Sequence, residues 1–146
     1  MVSTKISPYK AATLLLLLGA LLILLVFIAA PPNTPFANYT IESSEDAAAF
    51  LSDLGWEIDL NNISAQQSAL PEQFDNVFLE YNTLQQKQNC DLTKYAGKEI
   101  TIYSVPIVNY SDTTEKIYAT ILVHNKKIIG GDIHSANIDG FMHTLL

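Results

Sequence analysis

Residues 116–134 read "KIYATILVHNKKIIGGDIH", and how this stretch pairs with itself decides the fold. A two-residue loop at Asn125 and Lys126 makes a hairpin in which His124 faces Lys127 and Val123 faces Ile128. Continuing that register places Ile117, Ala119, Ile121, Val123, Ile128 and Gly130 on one face, but also Asp132 and His134. A bulge at Gly130–Gly131 supplies one extra residue, turning Ile133 onto the apolar face and sending Asp132 and His134 to the other, outer side.

Downstream, "SANIDGFMH" continues with an Asp139-Gly140 turn signature, and Phe141 and Met142 are expected to close the core. Asp132, His134, Asp139 and His143 crowd into a dozen positions. Asp132 and His134 share a strand face at i, i+2, and Asp139 and His143 share a helix face if residues 138–144 are helical. Two such pairs could meet around Zn²⁺ or Mn²⁺, which makes a metal-dependent enzyme the alternative functional reading. Each residue also has a bland explanation, and Gly140 weakens the helix that the second pair requires. His124, beside the hairpin loop, is a weaker catalytic candidate.

Upstream, "EITIYSVPIVNY" (99–110) is a strand in which Pro106 cannot donate, so that strand lies at an edge or kinks. "PEQFDNVFLEYNTLQQKQN" (71–89) opens on Pro71 at a first helical position, with Phe74, Val77, Phe78, Tyr81 and Leu84 at helical spacing. In "SSEDAAAFLSDLGW" (43–56) a serine cap, Glu45 and Asp46 in the first turn and Gly55 at the end frame a helix. Its stripe is Ala47, Phe50, Leu51 and Leu54. "WEIDL" (56–60) alternates as a strand with one wet face. The order helix, strand, helix, three strands, then a short C-terminal helix or turn predicts an α+β domain. Two helices would pack on an antiparallel sheet of about four strands.

The N-terminal region is of a different kind. Residues 11–30, "AATLLLLLGALLILLVFIAA", carry no charge. At 1.5 Å per residue they span the roughly 30 Å hydrocarbon core as a transmembrane helix. Lys5 and Lys10 precede the run and no basic residue follows closely, so the positive-inside rule predicts a cytoplasmic tail at 1–10 and an outward-facing remainder. A cleaved signal peptide fits less well: the apolar run is long, and Ile28 and Pro31 flank the small-residue site unfavourably. Pro31, Pro32 and Pro35 then give residues 31–42 the composition of a semi-stiff spacer. The domain plan is therefore tail 1–10, signal anchor 11–30, spacer 31–42 and extracytoplasmic domain 43–146, at the cell membrane with a single pass.

Charge limits the partners. The chain has fifteen Asp and Glu, eight Lys and no Arg. Beyond residue 30, six Lys against fifteen acids leave a net charge of −9. Such a surface repels phosphate backbones, and the missing Arg removes the usual bidentate reader of guanine, so no nucleic-acid partner is expected. Cys90 is the single cysteine, which excludes an intrachain disulfide and a multi-cysteine zinc cage.

"FLSDLGWEI" (50–58), "PEQFDNVFLEYNTLQQKQNCDLTKYAGK" (71–98) and "IGGDIHSANIDGFM" (129–142) together resemble the bacterial family of domain of unknown function 4830. Its members resemble single-pass anchored proteins with a small extracytoplasmic domain. The likeness spans about residues 44–144 and implies no activity. Nucleophile elbows, phosphate loops, His-Glu-X-X-His and paired cysteines are absent. The reading is a non-enzymatic, cofactor-free binding or interaction module that meets a protein or envelope partner. Tyr81, Asn82, Tyr95 and Asp132 are its candidate binding surface.

Overall fold

The computed structural model describes residues 9, 13, 15–21, 34–111, 113–137 and 139–146. The chain divides into two units, Met1–Asn33 and Thr34–Leu146. In the first, the described residues are helical, and Leu15, Leu16, Leu17, Leu18 and Leu21 are exposed. Thr13 donates its hydroxyl to the Tyr9 carbonyl at 3.0 Å. Among the described residues no helix is long and apolar enough to cross a membrane. Most of the expected anchor at 11–30, most of the tail and the start of the spacer lie outside the described residues.

The second unit is α+β, with a five-stranded antiparallel sheet in the order β1-β2-β3-β4-β5. Its strands are β1 (Ser64–Ala69), β2 (Glu99–Ile107), β3 (Ile117–His124), β4 (Lys127–Ser135) and β5 (Met142–His143). Its helices are α1 (Ser44–Asp53) and α2 (Asn76–Gln86), with 3-10 turns at Leu60–Asn62 and Leu92–Tyr95. The hairpin forms as its residues dictate: His124 faces Lys127 and Val123 faces Ile128. Asn125 and Lys126 take φ of 46° and 65°, the left-handed pair that matches strand twist in a two-residue loop.

The bulge is present but sits earlier than expected. Val123 pairs Ile128 while Leu122 pairs Gly130, so Ile129 is the extra residue, not a glycine. This shift sends Ile129 to the second face of the sheet and still puts Ile133 on the first. Both faces are covered. Phe36, Ile41, Phe50 and Leu51 pack on Val105, Ile107, Ala119, Ile121 and Ile133 on one side. Leu70 and Leu92 pack on Ile100, Leu122 and Ile129 on the other.

Five expectations are corrected here. The sheet has five strands because "SAQQSA" adds a polar edge strand, every residue of it exposed. "WEIDL" contributes only one isolated bridge, Ile58 to Ile107. Asp59 accepts from Asn61 N and Asn62 Nδ2 and so bends the chain into a 3-10 turn. Residues 34–42 belong to the domain: Phe36 and Ile41 are buried, Ile41 donates to the Lys126 carbonyl at 2.9 Å, and Lys126 pairs with Glu42. At the C-terminus the expected turn at Asp139-Gly140 forms, Gly140 donating to the Asn137 carbonyl at 3.0 Å, but a two-residue strand and not a helix follows it. Leu145, not Phe141 or Met142, closes the core there. Finally, α2 begins at Asn76, where Asp75 accepts from the Phe78 N–H, rather than at Pro71.

Helix α1 follows its sequence closely. Ser43 and Asp46 exchange side chain-to-backbone bonds as a capping box. Gly55 takes φ +91° after the last turn, a conformation other residues adopt at a cost. Pro106 lies inside β2, yet its carbonyl accepts from Asp59 N. Its missing donor therefore points toward the interrupted first edge and not toward β3.

Candidate functional site

Helix α2 packs against the sheet with an unusual face. Asn82, Gln85 and Gln88, the last just beyond the helix, are buried, whereas Val77, Phe78 and Leu79 are 73%, 37% and 47% exposed. Of the stripe expected to be core, Val77 and Phe78 thus face solvent, Leu84 is half-buried, and Phe74 and Tyr81 pack against the second cluster, while the polar Asn82, Gln85 and Gln88 point in. The reason is the backbone they satisfy. Asn82 accepts from Leu92 N at 2.7 Å and donates to Asp91 at 3.1 Å, fixing the turn that delivers Leu92 to the core. Gln85 Oε1 accepts from Gly131 N at 2.8 Å, and Gln88 Nε2 donates to the Gly131 carbonyl at 2.6 Å. Gln88 Oε1 accepts in turn from Leu145 N at 3.1 Å. β5 pairs only with Ile133 and His134, so the two glutamines seal the part of the β4 edge that β5 does not reach.

The glycines make that seal possible. A Cβ on Gly130 would lie 2.7 Å from Gln85 Oε1, and one on Gly131 would lie 2.4 Å from the Thr120 carbonyl. Between the seal and the end of β4 lies a chain of three polar groups. Tyr81 on α2 donates its hydroxyl to Asp132 Oδ2 at 2.5 Å. Asp132 Oδ1 lies 2.8 Å from His134 Nδ1. Burial, reinforced by the Asp132 carboxylate, holds the Tyr81 phenol well above its ordinary pKa of 10. Tyr118 stacks on the His134 ring at 6.0 Å.

Asp132 is therefore not on an exposed outer side: it is 2% exposed, because α2 covers the face onto which the bulge turns it. The His134 side chain is 26% exposed. A buried carboxylate that orients a partly exposed imidazole can hold a proton at a defined nitrogen. Among the described residues, however, no hydroxyl or thiol is hydrogen-bonded to the far side of that ring.

The four-residue metal cluster does not assemble. His143 pairs with Ile133 and His134 with Met142, so the two imidazoles lie on opposite faces of the sheet. Both nitrogens of His143 are engaged, by Tyr110 Oη at 3.0 Å and the Thr144 carbonyl at 2.7 Å. Asp139 is exposed on the connecting loop. Among the described residues no group of three or more His, Cys, Asp or Glu could hold a metal ion. His124 is also occupied, its Nδ1 2.7 Å from the Glu99 carbonyl and its Nε2 3.1 Å from Asn125.

Of the candidate binding residues, Tyr81 and Asp132 come together and Asn82 is committed to the Leu92 turn. Tyr95 stands apart, its ring edge-on to His124 at 5.5 Å. What the sequence reading missed is the groove beside Tyr81. It is open, about 520 Å³, and is lined by Val77, Tyr81, Leu84 and Met142 together with Glu80, Thr83 and Lys87. Met142 is 50% exposed and stands opposite His134 across the β4–β5 pair. A more open depression of about 680 Å³ beside α1 includes Ala48, Trp56, Ile58 and Leu60, and its titratable groups are Glu45 and Glu57.

A family model described as a domain of unknown function (DUF4830) matches residues 50–133. No curated protein and no solved structure matches the chain.

Proposed function

Because the chain belongs to the family of domain of unknown function 4830, which brings no reaction with it, we propose from the residues alone that it is a non-enzymatic interaction module. It would be held at the outer face of the cell membrane by residues 11–30, with its N-terminus in the cytoplasm. Its partner would be an apolar segment of another envelope protein, received by the groove along α2.

The observation that carries this reading is the inverted helix. A helix that buries Asn82 and Gln85 and leaves Val77 exposed, with half-buried Leu84 on the same face and both lining the groove, has apolar surface that its own fold does not use. Contiguous surface of that kind marks interaction sites. Tyr81 and Met142 extend it, and both are residue types favoured at contact centres.

Two experiments test the proposal. A photo-crosslinking residue at position 77 of the full chain, in its own cells, is expected to give a discrete protein adduct. That adduct should disappear with Leu84→Glu or Met142→Glu, and the probe moved to Asp53 on α1 should not give it. Equal adducts from both positions, or indifference to the two substitutions, would remove the groove as the site. The anchor is tested separately by fusing alkaline phosphatase after Leu146. Activity of the fusion supports the outward topology, and an inactive, stable fusion overturns it.

A further inference from the structure

The two edges of the sheet are treated very differently. At β4 the backbone is sealed by β5 and by the buried glutamines on Gly131. At β1 nothing among the described residues pairs with the outer side, and all six side chains are exposed. Protein edges are ordinarily blunted by charge, proline or a bulge. β1 has none of these. Its pairing with β2 is regular from Ser64 to Ala69, and from Leu60 to Pro71 there is no charged residue.

We propose that β1 is a self-association edge, at which a second copy of this chain adds its own β1 antiparallel to form a continuous sheet about a two-fold axis. The charge distribution selects the occupant. Two copies each carrying −9 beyond residue 30 repel one another over most approaches. A twelve-residue stretch without charge provides a line along which like copies can meet.

The backbone also fixes the register. Leu70 donates to the Lys98 carbonyl, so its polar groups face β2, and those of Ser68, Gln66 and Ser64 do too. Alternation then directs the N–H and C=O groups of Ala65, Gln67 and Ala69 outward. Only outward residues can exchange bonds across the new pair. The register that uses all three outward residues passes the axis through Gln67, which faces its own copy, while Ala65 faces Ala69 and Gln66 stands opposite Ser68. One strand pair buries less than the ~1,200 Å² of a stable interface, so this dimer is weak and calls for covalent trapping.

The test uses the full chain in mild detergent, where Cys90 is buried and stays out of the chemistry. Chains carrying Gln66→Cys are mixed with chains carrying Ser68→Cys and oxidised gently. The mixture is expected to yield several-fold more disulfide dimer than either chain alone. Gln67→Pro, which removes one outward N–H that β2 does not use, should cut that yield about tenfold and leave the thermal midpoint nearly unchanged. Gln67→Lys, which sets like charges on the axis, should do the same without touching the backbone. Equal yields from the mixture and the single chains, or yields indifferent to both substitutions at Gln67, would overturn the proposal. So would a partner strand from another protein occupying β1 in place of a second copy.

Discussion

Tyr81 on α2 and Asp132 on β4 lie 51 positions apart and meet through one hydrogen bond of 2.5 Å. It joins the second helix to the strand that the glycine pair makes approachable. Asp132 is nearly inaccessible to water, so its carboxylate depends on Tyr81 and His134 for partners. Tyr81→Phe keeps the ring and removes the donor. The expected cost is about 1–3 kcal/mol, that of leaving a buried acceptor short of a bond. Tyr118→Phe, whose hydroxyl makes no such bond, should stay within about 0.5 kcal/mol. Urea unfolding of the two variants side by side separates them.

The seal at Gly131 makes a sharper demand. Gln88→Ala removes the donor to the Gly131 carbonyl and the acceptor for Leu145 N together. With two buried backbone groups orphaned at about 1–3 kcal/mol each, the loss should exceed that of Tyr81→Phe. Gly131→Ala should be worse still, since its methyl would meet the Thr120 carbonyl at 2.4 Å and backbone cannot rotate aside. Hydrogen exchange at Ile133 and Leu145 should accelerate in both variants ahead of exchange at Ile121.

The hairpin, the capped first helix and the existence of a bulge were legible because each is written in local chemistry. Asn125-Lys126 has few turns open to it, Ser43 and Asp46 form a reciprocal pair, and the register needs one extra residue before Ile133. The fifth strand was not legible: Ser64 to Ala69 alternates nothing, and only pairing with β2 makes it a strand. The inverted face of α2 was hidden for a related reason. Periodicity marks Val77 and Leu84 as core, but Gln85 and Gln88 are drawn inward by an unpaired strand edge more than forty residues away. That demand is non-local, as is the burial of Asp132, which follows from where α2 lies.

Alkaline pH should unfold the domain through groups that are buried in protonated form. Cys90 is pushed up to about 11 by burial, and burial beside Asp132 raises Tyr81 well above 10. Both folded values lie above the unfolded ones. Their contribution is therefore complete below about pH 8.5–9, the unfolded thiol range, and is lost as pH rises through that range and then through 10 and beyond. Thermal midpoints should hold level up to about pH 8.5 and then fall. Cys90→Ala should flatten the first part of that fall, and Tyr81→Phe the later part. A disulfide reagent at neutral pH should leave the native thiol unlabelled until the chain unfolds.

The inverted helix also makes an energetic prediction that needs no partner. If Val77 and Leu79 lie in solvent, as their 73% and 47% exposure indicates, the fold owes them little. The double variant Val77→Ser with Leu79→Ser should then change stability by no more than about 1 kcal/mol, mostly through helix propensity. Leu122→Ala removes a side chain that is 4% exposed in the second core cluster and should cost about 2–5 kcal/mol. The contrast is informative because Val77 belongs to the helical stripe expected to be core, yet Leu122, which no expected stripe includes, is the buried one. A loss of several kcal/mol in the serine double variant would make Val77 and Leu79 core residues, and the groove along α2 would lose its claim to be a surface for another chain. A stable Met142→Glu variant that no longer forms the position-77 adduct would tie the exposed apolar face to binding rather than to folding.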